Sequence, residues 1–240
     1  MKRGAEKIMI LDMILLLLLV GVGLGHRKDS VRETLAQGDL ISAKNDLQSH
    51  HQNSEEMKKI CLTFDDGPHP FYTEQLLDGL KERGVKATFF VTGEHALLHP
   101  DIILRMSKEG HAIGNHTYSH MQLKSSNREE FKAELIKTNE VIEEIIDEDV
   151  VYVRPPYGSW DKQLEKELNM IPVLWNIDPL DWCSTDAICV AGKVISKAKE
   201  NDIILLHDYY ESSVTAALEI VDELLEEGFI FVTVEEVLFD

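Results

Sequence analysis

Acidic and histidine side chains in two short segments have the types and spacing of a metal-dependent site. Asp65 and Asp66 follow a short apolar run, and His116 and His120 are four residues apart. Two imidazoles and one carboxylate can hold a divalent cation and leave one position open, as catalytic sites do. On one turn of a helix the two histidines would face the same way and share the cation. The pattern predicts a metal site, although Asp65–Pro68 alone is as typical of a plain turn.

Residues further along the chain could supply acid–base chemistry. His207 ends an apolar run, and an imidazole titrates near neutral pH, so it is a candidate general acid. Arg154 precedes two prolines, which fix the local backbone and suit a side chain that must keep one geometry. An acid in Asp178–Trp182 could orient His207 and raise its pKa, and Trp182 could pack on a sugar ring. A hydrogen-bonded strand-end histidine and an ordinary surface arginine remain the alternatives.

The elements that carry these residues alternate between strand and helix. Short apolar runs predict strands at 60–64, 87–91, 150–153, 171–174, 203–206 and 229–232. Capping residues and apolar periodicity predict helices from Thr73 to Gly84, over 100–108, after a capping box at Ser126–Glu129, and over 161–168, 186–199 and 213–227. This alternation is typical of a parallel α/β sheet, either a barrel or an open sheet. The candidate residues follow strands, so we expect them to meet at the rim formed by the strands' carboxyl ends.

Five segments resemble, in their order, the motif set of polysaccharide deacetylases, the NodB-homology enzymes of carbohydrate esterase family 4. The segments lie within residues 58–238 and are Thr63–Pro68, His116–His120, Arg154–Gly158, Asp178–Trp182 and Leu205–His207. The resemblance implies a distorted (β/α) barrel of about seven parallel strands. It also implies a bound divalent metal and hydrolysis of an N-acetyl group on a polymeric sugar.

The same resemblance implies which residues bind the metal and which residue accepts a proton. Asp66, His116 and His120 would bind the metal, most often zinc, with cobalt, nickel or manganese as alternatives. Asp65 would be the general base, and Arg154 would hold it. The two adjacent aspartates would then have different tasks, because only Asp66 would face the cation.

Amide hydrolysis also needs a stabilised oxyanion and a proton for the leaving amine. The resemblance implies which residues would supply them. His207 would be the general acid, tuned by Asp181. Leu205 and Trp182 would line the pocket for the acetyl methyl group. The backbone N–H of Tyr157 would help to bind the oxyanion.

The expected function is therefore removal of N-acetyl groups from N-acetylglucosamine residues of a polysaccharide, with cell-wall peptidoglycan as the substrate. Chitin oligomers, poly-N-acetylglucosamine and acetyl-xylan are alternatives, because loop shape rather than the motifs decides among them. A non-catalytic, metal-containing, glycan-binding wall protein is the alternative from another class. Such a protein would lack the base or the acid, and both Asp65 and His207 are present. A monomer is the favoured oligomeric state.

Charge patterning predicts the organisation of the chain. The 240 residues carry 24 basic and 43 acidic side chains, a net charge of −19, which argues against a nucleic-acid partner. Residues 1–28 instead carry +3 and contain the apolar run Met13–Gly25. This pattern predicts a signal peptide or N-terminal membrane anchor over 1–25, a polar spacer over 26–57 and a catalytic domain over 58–240. The protein is thus expected outside the cytoplasm, secreted or attached to the membrane or wall only through its N-terminal segment.

The three cysteines are too few for a disulfide framework. Cys61 lies in a predicted strand and is expected to be a buried free thiol. Cys183 and Cys189 could form a small disulfide in an oxidising compartment or remain free. Four further histidines have no partner pattern and are expected to be structural or solvated: His69, His95, His99 and His111.

Overall fold

Strands and helices alternate over residues 58–239, the part of the chain that the computed structural model describes. The strands are β1 Lys58–Asp65, β2 Thr88–Val91, β3 Ala112–Asn115, β4 Tyr152–Val153, β5 Ile171–Pro172, β6 Ile203–His207 and β7 Phe229–Val232. The helices are α1 Tyr72–Glu82, α2 Gly93–Leu98, α3 Pro100–Lys108, α4 Arg128–Ile146, α5 Lys162–Leu168, α6 Ala187–Ile195, α7 Glu211–Glu226 and α8 Val234–Phe239. The predicted leader over 1–25 and spacer over 26–57 lie outside the described residues.

The strands form one parallel sheet that curls into a barrel. The hydrogen-bonded order is β5-β4-β3-β2-β1-β6, and β7 pairs with the first half of β1. The segment after β5 joins the two ends, because Leu205 donates its N–H to the carbonyl of Ile177 at 2.9 Å. The expected distorted (β/α) barrel of seven parallel strands is confirmed among the described residues.

Alternation along β1 decides which side chains enter the barrel. Leu62 and Phe64 pack with side chains of α1 and α7 in the apolar layer outside the sheet. Cys61 packs instead with side chains of β2, β4, β6 and α8 inside the barrel. Because successive side chains point to opposite faces, Thr63 and Asp65 share the inner face with Cys61. Asp65, as the last residue of the strand, therefore lies at the inner rim.

Two predicted helix starts are wrong. The capping box at Ser126–Glu129 does not form, since α4 begins at Arg128 and Asn127 uses its Oδ1 to accept the N–H of Lys124 at 2.7 Å. Thr73 does not cap α1 either: it lies inside the helix, buried. Instead, the His69 side chain caps the start of α1: its Nδ1 accepts hydrogen bonds from the N–H groups of residues 71 and 72 at 3.2 Å.

The described cysteines are free thiols. Cys61 is buried as expected, and burial raises the pKa of its thiol to about 12. Cys183 and Cys189 are exposed and not joined, so the free alternative holds in this structure. The Cys183 thiol is hydrogen-bonded to the carbonyl of Leu180 at 3.1 Å. Within residues 58–239, no helix combines the length and apolar character needed to cross a bilayer.

Candidate active site

The predicted site residues meet at one rim of the barrel. Asp65 ends β1 and is paired in register with His207, which ends the neighbouring strand β6. His116 follows β3, and Arg154 follows β4. In a parallel barrel the carboxyl ends of all strands lie at the same end, so residues far apart in sequence converge there. The expectation of a shared rim is confirmed.

Asp66, His116 and His120 form a group that can hold a metal ion. Each offers one ligand atom, and these atoms lie within 4.8 Å of one another. The Nε2 atoms of both histidines are 3.4 Å from Asp66 Oδ1. That oxygen is buried and has no hydrogen-bond partner in the described chain. An unpartnered buried carboxylate oxygen is unfavourable, and a cation among these three side chains would satisfy it, so the residues fit a metal.

A loop, and not the predicted helical turn, brings the two histidines together. Thr117 and His120 both have left-handed backbones, with φ of 62° and 57°. Asn115, fully buried at the end of β3, supports this loop by accepting the N–H of Thr117 on its Oδ1 at 2.8 Å. The centres of the two imidazole rings lie 5.0 Å apart. The histidines are therefore close together as predicted, although a loop and not a helical turn brings them there.

A hydrogen bond fixes the orientation of the His116 ring. Its Nδ1 lies 2.6 Å from the backbone carbonyl oxygen of Arg154. A carbonyl only accepts, so Nδ1 carries the proton and Nε2 presents a lone pair to the site. Orientation of a ligand histidine by a second hydrogen bond is the usual arrangement at metal sites.

Electrostatics favour the forms of Asp66 and His120 that can bind a metal. Burial raises the pKa of Asp66, but the nearby imidazoles of His116, His120 and His207 outweigh it, and the pKa is lowered to about 2. Burial lowers the pKa of His120, the Asp66 charge opposes this, and the net shift is downward. Near neutral pH the site therefore presents an ionised carboxylate and a neutral imidazole, the forms that bind metals.

Arg154 is no ordinary surface arginine, because its side chain is completely buried. Its Nη1 donates to Asp65 Oδ1 at 2.8 Å and to Thr63 Oγ1 at 2.6 Å. Its other nitrogens donate to two backbone carbonyls of the segment after β5, and its guanidinium lies 4.2 Å from the centre of the Phe90 ring. With every partner fixed, the arginine holds Asp65 in a single orientation.

His207 is tied to Asp181 through two contacts. Its Nδ1 is 2.8 Å from Asp181 Oδ1, and its backbone N–H donates to Oδ2 at 2.8 Å. Burial lowers the pKa of His207, but the hydrogen bond and charge of Asp181, with the charges of Asp65 and Asp66, raise it to about 9. The imidazole is therefore protonated near neutral pH. A cation at Asp66 would lower this pKa again, because His207 Nε2 is only 4.0 Å from that carboxylate.

The three residues expected at the substrate pocket surround this centre. Tyr157 is exposed, with φ of 60°, and its ring lies 5.1 Å from the ring of His120. Trp182 is exposed in the turn Asp181–Cys183. Leu205 is buried in β6, two residues before His207 and on the same face of the strand. The structure thus places all three near the site, and their roles stay predictions.

His95 belongs to the site although its spacing gave no sign of this. Its Nδ1 donates to the backbone carbonyl of Asp66 at 2.7 Å, and its ring stacks on Tyr209 at 5.4 Å. His111 is structural, as expected: its Nδ1 accepts the N–H of Ala87, and burial lowers its pKa to about 4. The long-range contact of His95 has no local sequence signal.

Comparison with known proteins decides the family. A sequence profile described as polysaccharide deacetylase matches residues 52–173, half of the chain. The chain belongs to the polysaccharide deacetylase family. The resemblance noted from the five motifs is confirmed.

Named relatives are similar to the chain over 63–87 % of its length. The chain is 36 % identical over 209 residues to the peptidoglycan-N-acetylmuramic acid deacetylase PdaC of Bacillus subtilis, covering 87 % of this chain and 44 % of PdaC. It is 38 % identical over 182 residues to a peptidoglycan-N-acetylglucosamine deacetylase of Bacillus cereus, covering 73 % and 66 %. It is 40 % identical over 154 residues to a chitooligosaccharide deacetylase of Rhizobium leguminosarum, covering 63 % and 72 %.

Solved structures agree with this assignment. The structure of PdaC superposes with a TM-score of 0.73 at 39 % identity, covering 75 % of this chain and 90 % of the solved chain. By sequence, however, the chain spans less than half of full-length PdaC and 66 % of the Bacillus cereus enzyme. The similarity therefore concerns the domain that this chain and PdaC share.

Proposed function

We propose that this chain is a metal-dependent hydrolase that removes N-acetyl groups from N-acetylglucosamine residues of a polysaccharide, with cell-wall peptidoglycan as the substrate. One arrangement carries this proposal: an arginine-held carboxylate, an Asp-His-His group and a carboxylate-held histidine converge on the same rim. Such a set supplies a base, a Lewis-acid site and an acid for amide hydrolysis. The names of the two Bacillus relatives support peptidoglycan.

Asp66, His116 and His120 would hold the metal, and we propose zinc, with cobalt, nickel or manganese as alternatives. Two imidazole nitrogens and one carboxylate oxygen are ligands that suit zinc, and three protein ligands leave a position open. When bound, such an ion polarises a carbonyl and lowers the pKa of a bound water.

Asp65 would accept the proton of the attacking water. Its Oδ1 is occupied by Arg154 at 2.8 Å, while Oδ2 lies 3.8 Å from His116 Nε2 and so points toward the metal ligands. The ion pair thereby assigns the two oxygens different tasks: one anchors the side chain and the other is available for proton transfer. General-base catalysis depends on this kind of fixed orientation.

His207 would protonate the leaving amine from Nε2. Asp181 Oδ1 accepts a hydrogen bond from Nδ1–H, so the ring keeps the orientation that presents Nε2 to the site. This is how a buried carboxylate supports a catalytic histidine in other hydrolytic sites. Protonation near neutral pH, favoured by three nearby carboxylates, provides the proton that the amine needs.

Tyr157, Leu205 and Trp182 would bind the substrate. We propose that the backbone N–H of Tyr157 stabilises the oxyanion, since the neighbouring N–H groups of residues 158 and 159 are used inside the turn. Leu205 and Trp182 would contact the acetyl methyl group, and the exposed indole offers a flat apolar surface for a sugar ring.

We also propose that the protein acts outside the cytoplasm. The basic, apolar segment at residues 1–28 supports secretion or attachment to the membrane or wall through that segment alone. Expression of the full chain in a bacterium, followed by fractionation and mass measurement, tests this proposal. Finding the full-length chain in the cytoplasm would contradict it.

Acetate release from defined glycans tests the enzymatic proposal. The full chain is assayed on peptidoglycan, chitooligosaccharides, poly-N-acetylglucosamine and acetyl-xylan, with chelator and with zinc added back. We expect acetate from peptidoglycan, loss with chelator and recovery with zinc. Digestion of the product and mass spectrometry then identify which amino sugar lost its acetyl group. Glycan binding without acetate release on any substrate would favour the non-catalytic wall protein instead.

A further inference from the structure

Asp208 is a buried acidic residue that belongs to none of the proposed metal-binding, acid–base or substrate-binding groups. It follows His207 directly and is almost completely buried. Thr73 of α1 donates its hydroxyl to Asp208 Oδ2 at 2.5 Å, and the other oxygen, Oδ1, has no hydrogen-bond partner in the described chain. Burial without a basic partner is costly for a carboxylate, so such a group needs an explanation.

The Asp208 carboxyl group packs directly against the turn that carries a metal ligand. A Cβ atom placed on Gly67 would lie 2.3 Å from both carboxyl oxygens, so only glycine fits there. The preceding residue, Asp66, has a left-handed backbone with φ of 74°. A non-glycine residue keeps that conformation only where its surroundings enforce it.

Three contacts enforce the conformation of this turn from different sides. His95 Nδ1 donates to the carbonyl of Asp66 at 2.7 Å, and the N–H of Thr92 donates to the carbonyl of Gly67 at 3.1 Å. The Asp208 carboxyl group fills the space against the Cα atom of Gly67. His95 lies in α2, and Thr92 lies between β2 and α2. The third contact comes from the residue that follows β6, so Asp208 joins the strand of the proposed acid to the metal ligand.

We propose that Asp208 is a positioning residue for the metal centre: with Thr73 it acts through Gly67 to hold Asp66 at the position where its carboxylate meets His116 and His120. The inference rests on the metal site of the proposed function. Without the carboxyl group the turn has room to relax, and the Asp66 oxygens move relative to the imidazoles. Small displacements of a ligand weaken a metal site strongly.

Asp208 would act here by shape and by its hydrogen bond, contacts that do not depend on a negative charge. Burial raises the pKa of this carboxyl group to about 7, although the Thr73 hydrogen bond opposes the shift. An uncharged asparagine has nearly the same shape and still offers an oxygen to the hydroxyl of Thr73. The Asp208→Asn variant should therefore keep the positioning of Asp66, whereas Asp208→Ala should lose it.

Metal affinity measured without substrate tests the proposal. The full chain is stripped of metal and titrated with Zn²⁺ and Co²⁺ against a chromophoric chelator, and the visible absorption of bound Co²⁺ reports ligand geometry. For Asp208→Ala we expect about 10–100-fold weaker binding, the range typical of lost supporting contacts around metal ligands, and an altered Co²⁺ spectrum. Asp208→Asn should bind within about threefold of the parent, and Thr73→Val should fall between them.

A matched control separates positioning from loss of stability. Asp222 on α7 is paired with Arg83 at the surface, at 2.6 Å, so Asp222→Ala removes a carboxylate with a hydrogen-bonded partner elsewhere on the molecule. Its metal affinity and Co²⁺ spectrum should equal those of the parent.

Unchanged metal binding would overturn the proposal. If folded Asp208→Ala binds both metals within twofold of the parent, Asp208 does not position Asp66. If Asp208→Ala does not fold, Thr73→Val decides, and parent-like affinity and spectrum there overturn the proposal. An Asp208→Asn variant as weak as alanine also overturns it. A parent that binds metal but releases no acetate refutes the proposed function and leaves this inference standing.

Discussion

Replacing Asp65 with asparagine exchanges one carboxylate oxygen for an amide and removes the proposed proton acceptor. A positioned general base contributes about 10²–10⁴-fold to a rate. At about 1.4 kcal/mol per tenfold, this corresponds to about 3–6 kcal/mol in the activation free energy. We therefore expect the kcat for acetate release to fall by at least about 100-fold. Metal binding should persist, because Asp66 and the two histidines are unchanged.

The same substitution has a cost in stability that follows from the burial of Arg154. Removing one partner of a buried ion pair typically costs about 3–5 kcal/mol. The asparagine oxygen can still accept from Arg154, and Thr63 keeps its contact, so we expect the lower end, about 3 kcal/mol. For a domain of this size that lowers the Tm by about 6–12 °C.

Three measurements on Asp65→Asn separate these effects: acetate release, metal content per chain, and thermal unfolding followed by circular dichroism. Asp222→Asn is the control, since it makes the same chemical change in an exposed arginine pair and should keep the parent kcat. An Asp65→Asn protein with kcat within tenfold of the parent would refute the assignment of the base. Loss of bound metal would instead place Asp65 among the ligands.

Three further substitutions test the acid, the metal and the ligand-bearing turn. Asp181→Asn removes the interaction that raises the pKa of His207, so the alkaline limb of the pH–rate profile should move to lower pH. An alkaline limb that does not move would show that His207, held by Asp181, is not the general acid. In metal-free protein, the raised pKa makes the His207 contribution to stability complete below about pH 6.5, and it is lost as pH rises through about 9; unfolding titrations of Asp181→Asn should lack this loss. Zinc at 100 times its Kd should stabilise the parent by about 2.7 kcal/mol, and His120→Ala should abolish most of this gain in a thermal-shift assay. Gly67→Ala should weaken metal binding, because the added methyl group would clash with the Asp208 carboxyl group. The double variant Gly67→Ala/Asp208→Ala should recover part of the lost metal affinity, and no recovery would show that the clash lies elsewhere.

Local sequence predicted the elements where local patterns decide them. The helix Pro100–Lys108 and the strand Phe229–Val232 have the bounds that their apolar patterns indicated. Helix α2 was missed, since Gly93–Leu98 is a short element between two others. The failed cap at Thr73 has a different cause: its hydroxyl bonds Asp208, 135 residues away, and no local pattern reports such a partner.

The sequence by itself determined which side chains are available for chemistry and at which strand ends they stand. Asp65 and His207 could be placed at one rim from strand positions alone, because parallel strands carry their carboxyl ends to the same side. Strand β3, Ala112–Asn115, which precedes His116, was not among the predicted strands. The sequence also determined the family, since five short segments in a set order carry the resemblance.

Tertiary structure alone decided the geometry that turns these residues into a site. The bond from Arg154 to Asp65 spans 89 positions, and the loop of His116 and His120 depends on a buried Asn115. The contacts of His95 and Asp208 with the Asp66 turn likewise join different elements of the fold. The physical reason is that hydrogen bonds and close packing depend on distance in space, whereas sequence patterns report only neighbours along one element.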